Sequence, residues 1–482
     1  MSQSTLVKST LILTIATLLS KVLGSIFRVP LQNIAGDEVL GIFSLVYPVY
    51  MVALYLSVAG IPLAISKLIA EANTQKQPQR IKKIYLTASI LAICFGIFSF
   101  SIIFGFSNQL ANALGGPSAR FALIIVALTL LVAPYMAVYR GFFQGFGDMR
   151  PTALSQVLEQ LIRAVLIIVA AYVLVKMDLS TEVVAGGVMI GSVLGALASL
   201  IYLRMKYRRS PVKVVSDEPY TKKDFTKWSS TILKISIPIA IGSVTMALFN
   251  FVDSFTATYA LKESGVTAQK EINYLYGLYG RGVTLVQITT VFASSIILPL
   301  VPLITSKLAQ KDVTGTRSVI EQTYRMTHLI TWPAAMGLLA LTLPLNLALY
   351  TNIEGSTMLA IINASAVFTS LTLVSTGILQ GMNLARLGAY IIIGGVLLKI
   401  VLNIVLIQAL GLDGAAWSTL IVYAVVFIVN TLFILRSLRF SALNVTTIKI
   451  IVSSIIMAAV VGLPTLLFNV ASWGRYAGSN GR

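Results

Sequence analysis

Apolar stretches of about 20 residues follow one another through almost the whole chain. A helix of that length crosses the hydrocarbon core of a bilayer, and the 482 residues hold about thirteen such stretches. Only 11% of the residues are charged, whereas soluble domains carry roughly 25%. The sequence therefore predicts an all-α polytopic membrane protein. The predicted spans are 9–33, 39–66, 84–106, 119–142, 153–175, 184–204, 231–259, 272–303, 324–348, 357–381, 387–410, 414–436 and 447–470.

Basic residues gather in alternate connections between these spans. Lys82 and Lys83 lie in one such connection and Arg208 and Arg209 in another, while the loops between them are short and nearly neutral. Cytoplasmic loops of membrane proteins are rich in Lys and Arg, so membrane topology accounts for the net charge of +19. A nucleic-acid partner is therefore not expected. We expect a multi-pass protein of the cytoplasmic membrane with a cytoplasmic N-terminus.

The sequence offers little for metal or catalytic chemistry. Cys94 is the only cysteine and His328 the only histidine, which leaves no Cys/His metal site and no disulfide. Asp and Glu total 17 and lie mostly in loops, which disfavours a membrane glycosyltransferase or polymerase that needs acid-base groups. We expect no cofactor, no metal and no enzymatic activity.

A basic linker, residues 208–229, divides the chain into related halves. We predict one lobe of six helices at 1–207, a second at 230–440, and an extra helix with a tail at 441–482. Gln144-Gly145, Arg150 and Arg163 return 236 residues later as Gln380-Gly381, Arg386 and Lys399. Because six helices separate the copies, both halves cross the membrane in the same direction, as in transporters built from parallel repeats around a cavity.

Arg281 interrupts the apolar stretch YLYGLYGRGVTLVQ at 274–287. A charge at the bilayer centre costs about 2.5–3.5 kcal/mol on insertion scales. Gly280 and Gly282 would leave the guanidinium open, and its planar fork suits a diphosphate. The alternative is a structural ion pair, but this helix offers no carboxylate. We predict that Arg281 binds an anionic ligand.

Two more cations lie in the first predicted helix. Lys21 and Arg28 are seven residues apart with Gly24 between them, which places all three on one helix face. We predict that Arg28 binds the same anionic ligand and that Lys21 assists it. The alternative is that both side chains snorkel to the membrane interface.

Charged pairs are predicted at two further places. Glu159 and Arg163 have the favourable i, i+4 order for a salt bridge within the fifth helix, with substrate contact as the alternative. The other place combines two helices: Asn250 and Asp253 share a face of the seventh helix, and Lys399 and Asn403 share a face of the eleventh.

Five stretches carry a resemblance to a known family: SKVLGSIFRVPLQNIAGDEVLGIFSLVYPVY (20–50), AGIPLAISKLIAEA (59–72), RGFFQGFGDMRPTALSQVLEQLIR (140–163), NFVDSFTA (250–257) and YLYGLYGRGVTLVQ (274–287). They resemble the multidrug/oligosaccharidyl-lipid/polysaccharide (MOP) flippase superfamily, in the branch with stage V sporulation protein B and the MurJ lipid II flippases. The resemblance implies two pseudo-symmetric six-helix lobes in a V around a central cavity, and places Arg281 at the family's cavity arginine.

The resemblance also implies a cation site. Some members bind sodium through an aspartate and asparagines on the equivalent helices, where this chain has Lys399. We expect the Lys399 ammonium to pair with Asp253 and stand in for the ion; the alternative is a structural pair with no coupling role. Two features depart from the family. The second predicted helix lacks the arginine pair of Gram-negative members, and thirteen spans replace the usual fourteen, as truncation would produce.

The sequence thus predicts a flippase that moves an undecaprenyl-diphosphate-linked peptidoglycan precursor, lipid II, from the inner to the outer leaflet by alternating access. One alternative is a flippase for another lipid-linked oligosaccharide, such as an exopolysaccharide or teichuronic-type unit. Others are a MATE-like drug exporter, which a cationic cavity disfavours, and a non-transporting scaffold of cell-wall synthesis. The expected partners are the lipid-linked substrate, the membrane and the cell-wall synthesis machinery, and we expect a monomer.

Overall fold

The computed structural model describes residues 3–58, 60–210 and 219–467, and every regular element among them is an α-helix. The centre of the predicted linker, 211–218, and the end of the predicted tail, 468–482, lie outside these residues. The helices are α1 (Gln3–Ile26), α2 (Arg28–Val58), α3 (Ile61–Thr74), α4 (Pro78–Gly105), α5 (Ser107–Ala113), α6 (Ser118–Gly145), α7 (Arg150–Lys176), α8 (Thr181–Arg209), α9 (Lys222–Ser243), α10 (Thr245–Glu263), α11 (Gln269–Ala309), α12 (Val313–Ala340), α13 (Thr342–Tyr350), α14 (Ser356–Gly381), α15 (Ala385–Leu410), α16 (Leu412–Ser437) and α17 (Val445–Leu467).

The all-α membrane fold is confirmed, although the number of spans differs from the prediction. Ten segments of the described chain are long and apolar enough to cross a bilayer, or eleven with the bent pair of α12 and α13. One reason for the lower number is that Ile12–Thr74 forms a single apolar stretch where two spans were predicted. Another is that the predicted span 231–259 is divided at Val244 between α9 and α10.

Contacts divide the chain into two compact units. Unit 1 contains Met1–Phe27 and Leu45–Phe251, and unit 2 contains Arg28–Ser44 and Val252–Arg482. Residues 28–44 therefore cluster with the C-terminal half, whereas the predicted first lobe, 1–207, includes them. The prediction of one helix over 9–33 is wrong, because α1 ends at Ile26 and α2 begins at Arg28. Lys21 and Arg28 consequently lie on different helices and in different units.

In unit 1, α6 packs against α3, α4 and α8, while α7 packs against α1 and α8. The core holds Ile65, Ile69, Phe142 and Trp228, all at most 7% exposed. Trp228 comes from α9, which packs against α3 and α4. The last part of the predicted linker, from Lys222 onward, is thus helical and contributes Trp228 to this unit's core.

In unit 2, α14 occupies the equivalent central position. It packs against α11, α12 and α16, while α15 lies on α16. The core includes Ile304, Tyr324 and Ile378. The extra helix predicted after the second set of six is α17, which packs against α12.

The same helix contact occurs in both units. A Cβ placed on Gly145 of α6 would lie 2.7 Å from Cβ of Ile69 on α3, and one on Gly381 of α14 would lie 3.0 Å from Cβ of Ile304 on α11. Small residues let membrane helices approach closely where lipid provides little hydrophobic drive for association. Glycines 236 residues apart thus perform the same packing role in each unit.

The turns that follow these two helices are also the same. Gly147 has φ 78° and Asn383 has φ 61°, the left-handed conformation that commonly ends a helix. The amide of Gly147 donates to the Gln144 carbonyl, and that of Asn383 to the Gln380 carbonyl. The backbone therefore supports the internal repeat that the sequence predicts.

Candidate functional site

The first part of α2 lies directly on α11 within unit 2, backbone against backbone. A Cβ placed on Gly41 would collide with the carbonyl oxygen of Asn273, and one on Gly277 with the carbonyl oxygen of Asp37. The helix also breaks at Gly36, where φ is 82° and ψ is 174°, a conformation open mainly to glycine. Glycines on both helices therefore set the position of Asp37.

We expect Gly277→Ala to reduce the stability of the folded protein strongly, because the new methyl group would meet backbone atoms of Asp37 that cannot move independently. Gly394→Ala is the matched control, since a Cβ placed on Gly394 would have no atom within 4 Å and alanine is the better helix former. Thermal melts of the purified variants test this. Equal melting temperatures for the two variants would contradict the close approach.

Arg281 is fully buried in unit 2 and bound by side chains of unit 2. Its Nε donates to Asp37 Oδ1 at 2.7 Å, and its Nη2 donates to Asp37 Oδ2. Its Nη1 donates to Asn346 Oδ1 at 3.0 Å and to Asn352 Oδ1 at 2.8 Å. Asp37 also accepts a hydrogen bond from Gln32. The arginine thus holds a carboxylate in the bidentate geometry that it would offer to a phosphate.

Two sequence interpretations of this site need correction. The carboxylate that pairs with Arg281 is Asp37 of α2, 244 residues away in the chain. The glycines beside Arg281 do not leave its guanidinium open. A Cβ on Gly280 would collide with the side chain of Ser44, and one on Gly282 would lie 2.9 Å from Ile362 Cδ1. Both glycines instead allow α11 to pack closely against its neighbours.

Arg28 and Arg281 both lie in unit 2. The Arg281 Cζ atom lies 5.0 Å from the centre of the Tyr350 ring. Arg28 is 3% exposed, and its Cζ atom lies 5.5 Å from the centre of the Phe43 ring. The two predicted phosphate ligands therefore belong to one unit.

A second buried cluster joins α10, α11, α15 and α16. Lys399 Nζ lies 2.9 Å from Asp253 Oδ1 and donates to Thr419 Oγ1 at 2.8 Å. Asn403 donates to the same carboxylate oxygen at 2.8 Å, and the Tyr279 hydroxyl donates to Oδ2 at 2.9 Å. The ammonium is thus held by oxygen atoms. Three of the four residues predicted here, Asp253, Lys399 and Asn403, come together in unit 2. Asn250 lies in the part of α10 assigned to unit 1.

The predicted salt bridge between Glu159 and Arg163 is replaced by another. Glu159 Oε2 lies 2.7 Å from Nη2 of Arg140 on α6, and the same nitrogen donates to Ser199 on α8. This bridge joins three helices and therefore displaces the local i, i+4 pair. Arg163 instead lies against aromatic rings. Lys21, on α1 of unit 1, has an exposed side chain.

Sequence reasoning missed several partners in these clusters: Asp37, Asn346, Asn352, Arg140, Tyr279 and Thr419. Asp37 carried the clearest signal, because it follows Gly36 in a stretch that the predicted spans leave as a short loop. The amides and hydroxyls carried none, since polar side chains of this kind occur throughout the apolar helices.

Comparison with known proteins adds a family context. The family model described as "Polysaccharide biosynthesis protein" matches residues 6–307. The chain is 31% identical to "Uncharacterized membrane protein YabM" of Bacillus subtilis (strain 168) over 453 residues, 93% of this chain and 84% of that protein. It is 26% identical to "Lipid II flippase MurJ" of the same organism over 480 residues, 95% of this chain and 88% of that protein.

The fold also resembles solved structures. One is the inward-facing conformation of a multidrug resistance MATE family transporter of the MOP superfamily, with a TM-score of 0.67 and 16% sequence identity. The match covers 86% of this chain and 93% of that one. At this identity the likeness shows the fold alone.

Proposed function

Since the chain belongs to the polysaccharide biosynthesis protein family, within the MOP flippase superfamily, we propose that it is a flippase for lipid II. The substrate is an undecaprenyl-diphosphate-linked precursor that passes from the inner to the outer leaflet by alternating access. This proposal is supported by the relative named lipid II flippase, which matches along 95% of this chain.

The main support for this proposal is the net positive charge of the buried side chains. Among the side chains that the structure describes, the buried Lys and Arg residues are Arg28, Arg163, Arg281 and Lys399, against the buried carboxylates Asp37 and Asp253. An ionised side chain inside a membrane is expensive and usually marks function. An excess of cations favours an anionic substrate and disfavours the cationic drugs that exporters carry.

We place the diphosphate at Arg28 and Arg281 in unit 2. Asp37 already occupies the Nε and Nη2 donors of Arg281, so a phosphate reaches them only by replacing this carboxylate. The exchange keeps the guanidinium paired with an anion before and after binding, which avoids leaving a buried charge uncompensated. Lys21 in unit 1 remains a candidate for assisting the transfer.

A flippase for another lipid-linked saccharide is the second candidate. The description of the matching family names polysaccharide biosynthesis in general and no particular saccharide. The arginines would contact the diphosphate, which such lipids share. In that case the same cationic site serves a different sugar. The two candidates differ only in the group attached to the diphosphate.

The substrate can be tested in proteoliposomes that contain the purified chain and a labelled lipid. We expect labelled lipid II to become accessible in the second leaflet faster than in protein-free liposomes. Arg317→Gln, at an exposed arginine on α12, should behave as the unmodified chain. Transport of a labelled undecaprenyl-diphosphate exopolysaccharide unit without transport of lipid II would select the second candidate. Transport of neither lipid would refute the flippase proposal.

A further inference from the structure

Arg163 on α7 is a buried arginine of unit 1 with unusual surroundings. It is 6% exposed, and its Cζ atom lies 4.9 Å from the centre of the Tyr47 ring and 5.7 Å from that of Phe27. Its Nε and Nη2 atoms are buried and have no hydrogen-bond partner among the described residues.

These two nitrogens form one edge of the guanidinium. In Arg281, Nε and Nη2 are the atoms that hold both oxygens of Asp37. In Arg163 the same edge has no acceptor among the described residues. Arginine uses such an edge for bidentate recognition of carboxylates and phosphates.

Among the helices around Arg163, α1, α6 and residues 45–58 of α2 contain no Asp or Glu. The helix α8 meets Arg163 at Gly195 and has its one carboxylate, Glu182, in its first turn, which lies about 20 Å away along the helix. Glu159, one turn earlier on α7, lies 2.7 Å from Arg140 Nη2. These three charges, Arg140, Glu159 and Arg163, therefore add to one positive charge in this buried region.

The internal repeat sharpens the contrast between the units. Lys399 lies 236 residues after Arg163, at the equivalent position of α15. It is paired with Asp253 of α10 at 2.9 Å, whereas α1, which packs against α7, has no acidic residue. One unit carries its counter-anion in the described chain, and the other does not.

We propose that Arg163 is an anion-binding residue of unit 1 that takes a phosphate of a prenyl diphosphate. The Tyr47 and Phe27 rings hold the guanidinium through cation–π contacts, which leave its edge available. The substrate class rests on the proposed flippase function. The anion site itself rests on the geometry of Arg163.

The test compares Arg163→Met with the unmodified chain, with Arg317→Met as the control at an exposed arginine. Binding of farnesyl diphosphate and of inorganic pyrophosphate is measured separately on detergent-purified protein. We expect Arg163→Met to weaken farnesyl diphosphate binding roughly tenfold or more, because one charge-assisted bidentate contact is lost. Arg317→Met should bind as the unmodified chain does.

The melting temperature without ligand separates this role from a structural one. Arg163→Met removes a buried charge whose Nε and Nη2 lack acceptors among the described residues, so we expect the ligand-free variant to melt at the same temperature or higher. A lower melting temperature with unchanged binding would overturn the proposal. Absence of binding to both probes by the unmodified chain would also overturn it.

The two probes also distinguish the source of the anion. Binding of farnesyl diphosphate alone assigns the site to a lipid headgroup, and equal binding of pyrophosphate assigns it to a free anion as well. If the unmodified chain fails to move lipid II but Arg163→Met still loses diphosphate binding, the anion site stands and the flippase function fails. If Arg163→Met moves lipid II at the full rate, the flippase function stands and the role of Arg163 in binding the substrate fails.

Discussion

Arg281→Gln will destabilise the protein by about 3–5 kcal/mol, the usual cost of breaking a buried ion pair by removing one partner. The cause is Asp37, which is 8% exposed and would keep only its hydrogen bond from Gln32 among the contacts that the structure describes. Asn346 and Asn352 would each lose a charge-assisted donor as well. The free energy of unfolding, from denaturant titration in mixed micelles, measures the loss.

Asp37→Asn combined with Arg281→Gln separates stability from function. Two neutral amides leave no buried charge, so we expect the double variant to recover most of the lost stability. Lipid transport should be lost, because Arg28 alone is left to bind the diphosphate in unit 2. A double variant that is stable and transports at the full rate would show that Arg281 serves only the fold.

Lys399→Ala is expected to have a similarly large effect, again about 3–5 kcal/mol, because it leaves the Asp253 carboxylate buried without its cation. Asp253 is 1% exposed and Lys399 is fully buried. We further expect sodium to restore part of the stability, because the site retains oxygen atoms of Asp253 and Thr419. A ligand at 100 times its Kd stabilises a protein by about 2.7 kcal/mol.

Sodium is compared with choline at equal ionic strength in this test. The unmodified chain should melt at the same temperature in both salts, since its own ammonium occupies the position. Lys449→Ala, at an exposed lysine of α17, should show no dependence on the cation. Stabilisation of the unmodified chain by sodium would contradict the idea that Lys399 stands in for the ion.

The sequence was most informative where both members of a pair lie deep in apolar helices. Asp253 and Lys399 were paired in the prediction because the family resemblance places a cation site on these two helices, and charges inside a membrane need partners. The all-α architecture followed from the length of the apolar stretches. The architecture needs only the solvent properties of the bilayer, whereas the charge pair also needed the resemblance.

The partner of Arg281 could not be found in this way. Asp37 lies 244 residues away, in a stretch whose glycine and charges suggested a loop, and only the backbone contact at Gly41 and Gly277 brings it to α11. Glu159 illustrates the same limit. It pairs with Arg140 and not with Arg163, its i, i+4 neighbour. Arg140 also donates hydrogen bonds to Ser155 and Ser199.

The paired turns after α6 and α14 bear on the ancestry of the chain. Gly147 and Asn383 differ chemically, yet each adopts the same left-handed conformation and closes the same hydrogen bond. Gln75-Lys76 and Gln310-Lys311 form a second pair of turns, in which the residues are identical and both lysines have positive φ. If one ancestral segment was duplicated, its dihedral angles have been inherited more faithfully than its residues. The charges have diverged further, so each half has acquired its own chemistry on a common backbone.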